Sequence, residues 1–413
     1  MLDADFFEWL RKEGAFIASI ESGLVAEGFR GVIAKTDIDP GTLLVSVPER
    51  LLLSAHSAKK DTAFAQALSA TNKQSTNSSQ VLAAHLLHEV CKGQDSYWKP
   101  YLATLPRQYT CLSYFCPEDI QELQVAYAMD IAHSVAEALK SDHTSVKPLL
   151  SALGLPAKFM TLGAWRWATA TVASRTMYLP DDDAGALMPF GDLHNHRSPP
   201  GVAPDLGILG EAQDPSDTQL DQGSSGSGQF DLKTRKYMLF AQTRYRAGEQ
   251  VFLSYGAHTN LELLEHYGFV SEDNPYDTAQ LPVIMLPEGL QGTVPLTATY
   301  LQRNGMPSWE LLRDLRIWAA SQLGCRQCCY LATEGKPISG PSEAHAFKIL
   351  KAICQTLLQQ LPTTADEDAA LLQSQAVAGE CKRLAVAWRL SHKRILQNCI
   401  DVASQVIETG GQT

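Results

Sequence analysis

Hydrophobic positions change their spacing several times along the chain, and each change predicts a different element. Phe6, Phe7, Trp9 and Leu10 stand among Asp3, Asp5, Glu8 and Glu13, which predicts the buried side of a first helix. From residue 24 to 54 the pattern turns strand-like. Gly28-Phe29-Arg30-Gly31-Val32-Ile33-Ala34 is followed by the turn signal Asp37-Ile38-Asp39-Pro40-Gly41 and by Thr42-Leu43-Leu44-Val45-Ser46-Val47-Pro48, so two short strands joined by a Pro-Gly turn are expected. Residues 63–140 read as helical, for example Val81-Leu82 with His85-Leu86 and Glu89-Val90. A second helical piece starts near Pro117, where Glu118 and Asp119 suit a first turn. The helical pattern continues through Trp165, Trp167 and Val172 and stops near Pro180.

Residues 197–229 are rich in Pro, Gly, Ser and Asp and are expected to form a flexible surface loop. Strand-like runs resume at Tyr237-Met238-Leu239-Phe240-Ala241 and Gln250-Val251-Phe252-Leu253-Ser254-Tyr255, with a turn at Arg246-Ala247-Gly248-Glu249. Beyond about residue 290 the signal is helical almost throughout. Ser308-Trp309-Glu310-Leu311 opens one helix, Ser342 is expected to cap another, and Thr364-Ala365-Asp366-Glu367 is a capping box. Leu384, Trp388, Ile395, Cys399, Val402 and Val406 form an amphipathic stripe in the last helix. No internal repeat is visible.

Composition narrows the class. The chain has 413 residues, 45% of them hydrophobic and 19% charged, enough for a large core and for two or three domains. Its net charge of −11 argues against general nucleic-acid binding, because phosphate contacts need clustered Lys and Arg. No run approaches the roughly 18 consecutive apolar residues of a membrane span. The N-terminus carries neither a basic-then-apolar secretory pattern nor an acid-poor transit pattern, and the nine cysteines are scattered. An intracellular protein is expected, in cytoplasm or nucleus first, with a plastid left open.

Four segments hold candidate chemistry. Glu27-Gly28-Phe29-Arg30-Gly31 puts glycines before a strand, where a ligand can approach the backbone closely. Asp192-Leu193-His194-Asn195-His196 follows Ser174-Arg175 along the chain. Asp192, His194 and His196 would share a face on a strand and could converge on a metal, while the plainer alternative is a polar turn bonded to its own backbone. The third segment is Val251-Phe252-Leu253-Ser254-Tyr255-Gly256 and the fourth His266-Tyr267-Gly268-Phe269; a tyrosine ending a strand is ordinarily an amphipathic edge of the core. Cys325, Cys328 and Cys329 lie in a helical pattern and read as small buried residues rather than a zinc site.

Taken in order, these segments resemble the SET-domain protein methyltransferases of the Rubisco large-subunit lysine methyltransferase class, most closely a plant and algal subgroup. The match runs from the strands of residues 28–47 through Arg175, Asp192, Asn195 and His196 to Leu253-Ser254-Tyr255-Gly256, Asn260-Leu261-Glu262-Leu263-Leu264 and Tyr267-Gly268-Phe269. Tyr97-Trp98-Lys99-Pro100-Tyr101-Leu102 with Leu105-Pro106 is similar to the helical insertion that splits the domain in this class.

The resemblance implies an α+β protein: a split SET β-fold, a helical insertion, and an all-helical C-terminal domain that presents the protein substrate. The expected divisions are 1–57 and 165–275 for the SET parts, 58–164 for the insertion and 285–408 for the C-terminal domain. It further implies S-adenosylmethionine as methyl donor and a lysine of a non-histone protein as acceptor. Gly28, Phe29, Arg30, Arg175, Asn195, His196 and Phe269 would hold the cofactor. Arg175, Asp192 and Tyr267 would face the substrate, and Tyr255 would sit where the reactants meet; no metal is implied. His194 and Leu179 depart from the class pattern, and the 197–229 loop adds length near the substrate side. Two rival readings share the fold, a histidine acceptor and a binding module without transfer.

Overall fold

The computed structural model describes residues 4–26, 29–71, 76–199, 228–291, 295–324, 329–374 and 377–411. Gly28, Cys325, Cys328 and most of the 197–229 loop therefore lie outside the described residues. The described residues fall into two compact units. The first is built from residues up to Tyr114, from Ser134–Pro199 and from the stretch ending at Ala257; the second is built from Phe115–His133 and from His258 onward. Residues 58–164 are thus shared between units, and the long helix Ala126–Ala152 is divided at His133.

The first unit opens with the expected helix, Ala4–Lys12, which buries Phe6 and Leu10 and packs Phe7 and Trp9 at the core margin. Three small sheets follow. Strands β1 (Phe16–Ile17), β2 (Ile20–Ala26), β3 (Phe29–Ala34), β4 (Leu43–Pro48) and β5 (Leu53–Ser54) precede the helical stretch. Strands β6 (Thr176–Leu179), β7 (Asp182–Leu187), β8 (Asn195–His196), β9 (Gly228–Asp231), β10 (Lys236–Phe240) and β11 (Gln250–Leu253) follow it. The sheet orders are β1-β4-β10-β9, β2-β3-β11-β8 and β5-β7-β6. The strands flanking the Pro40-Gly41 turn, β3 and β4, thus belong to different sheets. Strand β3 instead pairs antiparallel with β2, a strand that the glycine-interrupted run Ile20-Glu21-Ser22-Gly23 hides in the sequence. Gly228 and Gln229 are strand rather than loop.

The helix carrying Trp165 and Val172 ends at Arg175, earlier than Pro180. Thr176-Met177-Tyr178-Leu179 turns into a strand, and Asp181, at φ 65°, makes the turn into β7. The hydrophobic core of this unit joins both sides of the insertion, with Leu44, Val45, Trp165, Leu187 and Val251 fully buried together.

The second unit is largely helical but not wholly so. Strands β12 (Thr278–Gln280) and β13 (Tyr300–Gln302) form an antiparallel pair with Ala279 opposite Leu301. Helices Trp309–Gln322, Gly340–Gln360, Ala365–Gln373 and Glu380–Glu408 supply the rest. Ser339 rather than Ser342 is the N-cap of Gly340–Gln360; Ser342 is the reciprocal partner three residues on. The Thr364 capping box forms as expected. Trp388, Ile395, Cys399 and Val406 are buried from the last-helix stripe. No described helix is long and apolar enough to cross a membrane.

Candidate active site

Pairing of two short strands assembles the first part of the site. In β8 and β11, which run parallel, Asn195 lies opposite Phe252 and His196 opposite Leu253, although nearly sixty residues separate them in the chain. Just beyond the pairing, the Tyr255 backbone N–H donates to Nδ1 of His196 at 3.0 Å, and the two rings lie 5.0 Å apart. Nδ1 must therefore be unprotonated, and Nε2 carries the proton and faces Ser198 Oγ at 3.3 Å. The Tyr255 hydroxyl donates to the His194 carbonyl at 2.6 Å. Its proton is thus committed to that carbonyl.

Strand β3 brings the second part. Asn195 Nδ2 donates to the Arg30 carbonyl at 3.2 Å. A Cβ on Gly31 would lie 2.9 Å from Asn195 Nδ2, Gln250 Nε2 and Val25 Cγ1, so a side chain there would displace both amides. Gln250 Nε2 is buried without a partner among the described residues, and the Phe29 ring is 64% exposed although it is a large apolar group. A spare buried donor beside an exposed aromatic side chain makes a cradle for a polar ligand with an aromatic ring.

The third part is a buried charge cluster. Asp192 Oδ2 accepts from Tyr101 Oη at 3.0 Å and from Arg175 Nη1 at 3.1 Å, and Arg175 Nη1 also donates to the Asp192 carbonyl at 2.9 Å. Two atoms stay unsatisfied among the described residues, Asp192 Oδ1 and Arg175 Nε. Burial pulls the Arg175 guanidinium down, but the Asp192 carboxylate outweighs it and holds the arginine firmly charged. Burial, reinforced by that same carboxylate, pushes the Tyr101 hydroxyl well above its ordinary range, so it stays a donor. Arg30 is pulled down by burial and by Arg175 nearby.

The backbone that aims Asp192 is strained. Phe190 has φ 72° and ψ −38°, a conformation rare outside glycine, and is wedged with its ring 6.0 Å from Phe7 and 6.1 Å from His194. His194 Nδ1 bonds the Gly191 carbonyl at 2.9 Å, and burial lowers its pKa to about 4, so it is neutral. Asp192, His194 and His196 do not lie on one strand: Asp192 sits in the tight turn Gly191–Leu193, His196 is in β8, and each of the three bonds a different partner. Among the described residues no group of three or more His, Cys, Asp or Glu side chains is placed to hold a metal ion.

Tyr267 and Phe269 belong to the second unit. Tyr267 ends the wide turn Leu263–Tyr267, which Gly268 closes at φ 76°, and its ring lies 6.3 Å from Phe269 and 5.8 Å from His258. Burial raises the Tyr267 pKa, keeping the phenol neutral. Sequence reasoning assigned no role to Tyr101, Gln250 or the His194 carbonyl. The aromatic run around Tyr101 was the visible signal for the first; nothing local marks the other two.

A model of the SET domain matches residues 29–256, and a model described as Rubisco LSMT substrate-binding matches residues 270–396. The chain belongs to the SET-domain family. Within that family it is of the Rubisco large-subunit methyltransferase class, with the class's second domain following the first. SET domains use S-adenosylmethionine as methyl donor. Among curated relatives, the Arabidopsis thaliana protein named Protein SET DOMAIN GROUP 40 is 31% identical over 92% of this chain and 88% of its own. The Homo sapiens Actin-histidine N-methyltransferase is 26% identical over 97% of this chain and 68% of its own. Solved structures of Rubisco LSMT bound to AdoMet and to sinefungin with monomethyllysine superpose with TM-scores of 0.63 and 0.67 at 21% and 22% identity. Each superposition covers 99% of this chain and 92% of the other, which establishes the shared SET fold with its largely helical second domain.

Proposed function

We propose that this SET-domain protein transfers a methyl group from S-adenosylmethionine to a side-chain nitrogen of a non-histone protein, with lysine as the acceptor. The observation that carries the reading is the β8–β11 pairing, which seats Asn195 and His196 against Tyr255 beside the open cradle of β3. When bound, S-adenosylmethionine supplies an electrophilic methyl carbon on a sulfonium. Phe29, Arg30, Asn195, His196 and Arg175 are the residues proposed to hold it, with Gly28 preceding them and Phe269 packing on it. Arg175, Asp192 and Tyr267 are proposed for the acceptor side. The matched second domain supports a protein as substrate.

The residues then act by orientation and drying. In-line displacement needs the attacking nitrogen, the methyl and the leaving sulfur aligned, and alignment is what a fixed Tyr255 hydroxyl provides. A free lysine titrates near 10.4, so presenting it neutral at pH 7.5 costs about 4 kcal/mol in water. Buried aromatic walls reduce that cost by disfavouring the ammonium. No strong base is required of Tyr255.

A histidine acceptor is the second reading, favoured by the relatives named for actin-histidine methylation. The test is transfer from methyl-labelled S-adenosylmethionine into a cell lysate, followed by acid hydrolysis of labelled bands. Methyl-lysine supports the first reading and methyl-histidine the second. Tight cofactor binding with no label in any fraction points to a binding module, and absence of cofactor binding sinks the proposal. A lysine acceptor also gives a rate that climbs toward pH 9, whereas a histidine acceptor levels above pH 7.

A further inference from the structure

The helical insertion reaches the site through one short turn. Helix Lys99–Leu102 and the residues after it carry Tyr101 and Thr104, both buried. The Tyr101 hydroxyl donates to Asp192 Oδ2 at 3.0 Å, and the Thr104 carbonyl accepts from Arg30 Nη2 at 2.7 Å. These two contacts come from a single closed turn, because the Thr104 hydroxyl and N–H both donate to the Tyr101 carbonyl at 2.8 Å. Trp98 Nε1 donates to the Leu51 carbonyl at 2.9 Å and pins the turn to the β-fold.

We propose that Tyr101 is a positioning residue for the acceptor: by donating to Asp192 Oδ2 it turns the unpartnered Oδ1 toward the group to be methylated. The proposal rests on the methyltransferase reading above. Its physical basis is the division of labour on one carboxylate. Tyr101 and Arg175 saturate Oδ2, and among the described residues Oδ1 is left buried without a partner, a condition that costs stability unless a ligand donor fills it. A protonated or neutral amine, or an imidazole N–H, supplies such a donor. Tyr101 is fully buried, and its hydroxyl reaches the site through its hydrogen bond to Asp192.

The test uses the intact chain and two kinds of probe: S-adenosylhomocysteine for the cofactor side, and L-lysine amide or L-histidine amide titrated into the S-adenosylhomocysteine complex. Tyr101→Phe keeps the ring and removes the donor. The expected result is a cofactor-side Kd within twofold of wild type and an acceptor-amide Kd weakened five- to tenfold. In an Asp192→Asn background, Tyr101→Phe should add less than twofold, because the residue it acts through is already altered. Fully multiplicative effects overturn the proposal, as does an acceptor Kd indifferent to Tyr101. A Tyr101→Phe protein that loses cofactor and acceptor binding together shows a merely structural tyrosine and overturns it too. Failure of wild type to bind S-adenosylhomocysteine is a separate outcome, since it removes the methyltransferase reading on which the proposal stands.

Discussion

Two buried carboxylates, one in each unit, sit against arginines and differ in how fully they are satisfied. Asp368 in the second unit is saturated. Its Oδ1 accepts from Arg389 Nε at 3.0 Å, Arg389 Nη2 at 2.7 Å and Thr363 Oγ1 at 2.8 Å, and its Oδ2 accepts from Lys393 Nζ at 2.5 Å. Arg389 Nη1 goes on to the Glu122 carbonyl and carboxylate, and Lys393 to Gln124 and Thr363. Burial would raise the Asp368 carboxyl, but its hydrogen bonds from Arg389 and Lys393 hold it below the usual carboxylate range. Asp192 in the first unit is equally buried as a side chain, yet among the described residues one of its oxygens and one nitrogen of its arginine are left without partners. A network with nothing to spare ties helices together; one with a spare acceptor is incomplete until something binds. Burial of charge is common to both carboxylates; the number of satisfied atoms is what separates them.

Making the same substitution in both places breaks the comparison most directly. Asp368→Asn leaves the buried Lys393 without its carboxylate and Arg389 with Glu122 only, and is expected to cost about 3–5 kcal/mol in denaturant unfolding. Tyr255→Phe, beside the unsaturated cluster, should lower methyl transfer about 100-fold by loosening alignment while shifting stability by about 1 kcal/mol. Single-turnover rates and melting curves on the same preparation separate the two effects. Asp192→Asn should cost less stability than its counterpart, about 1.5–3 kcal/mol, because Arg175 keeps the Asp192 carbonyl and part of its side chain remains solvated. If Asp192→Asn destabilises as much as Asp368→Asn, the distinction between clamp and site fails.

The smallest expected effect is on pH. Burial lowers His194 and His392 to about 4, with the Lys393 charge adding to the effect on His392. Unfolding lets each take up a proton near its ordinary 6.5, so the unfolded chain binds more protons below that pH and stability falls as pH drops, levelling off under about 4. At pH 5.5 each should cost about 1.4 kcal/mol relative to pH 7.5. His392→Phe should remove part of the slope in chemical denaturation and leave cofactor binding alone. An unchanged slope would mean that the imidazole is not neutral in the fold.

Legibility in the sequence followed the range of the interaction. Ala4–Lys12, the Thr364 capping box and the start at Trp309 were readable because their partners lie within four residues. Strand β6 was read as more helix because Trp165-to-Val172 periodicity has no stop signal before Pro180, and the hairpin with β7 is what ends it. The hairpin β12–β13 escaped notice because three-residue strands carry no period worth the name. At the site, Arg175, Asp192, Asn195, His196 and Tyr255 were legible as an ordered family pattern. Tyr101 was not, since its partner lies 91 residues away.

By itself the sequence determined the first helix, the helix starts at Ser308 and Thr364, and the ordered residues that mark a SET domain. Those are local or family-wide properties of side-chain shape and spacing. Tertiary structure alone decided that Asn195 and His196 lie opposite Phe252 and Leu253, that Asp192, His194 and His196 bond three different partners, and that among the described residues Asp192 keeps an oxygen unpartnered where Asp368 keeps none. The physical reason is that a hydrogen bond is satisfied or orphaned by which atoms the fold brings within about 3 Å, and composition carries no record of that distance.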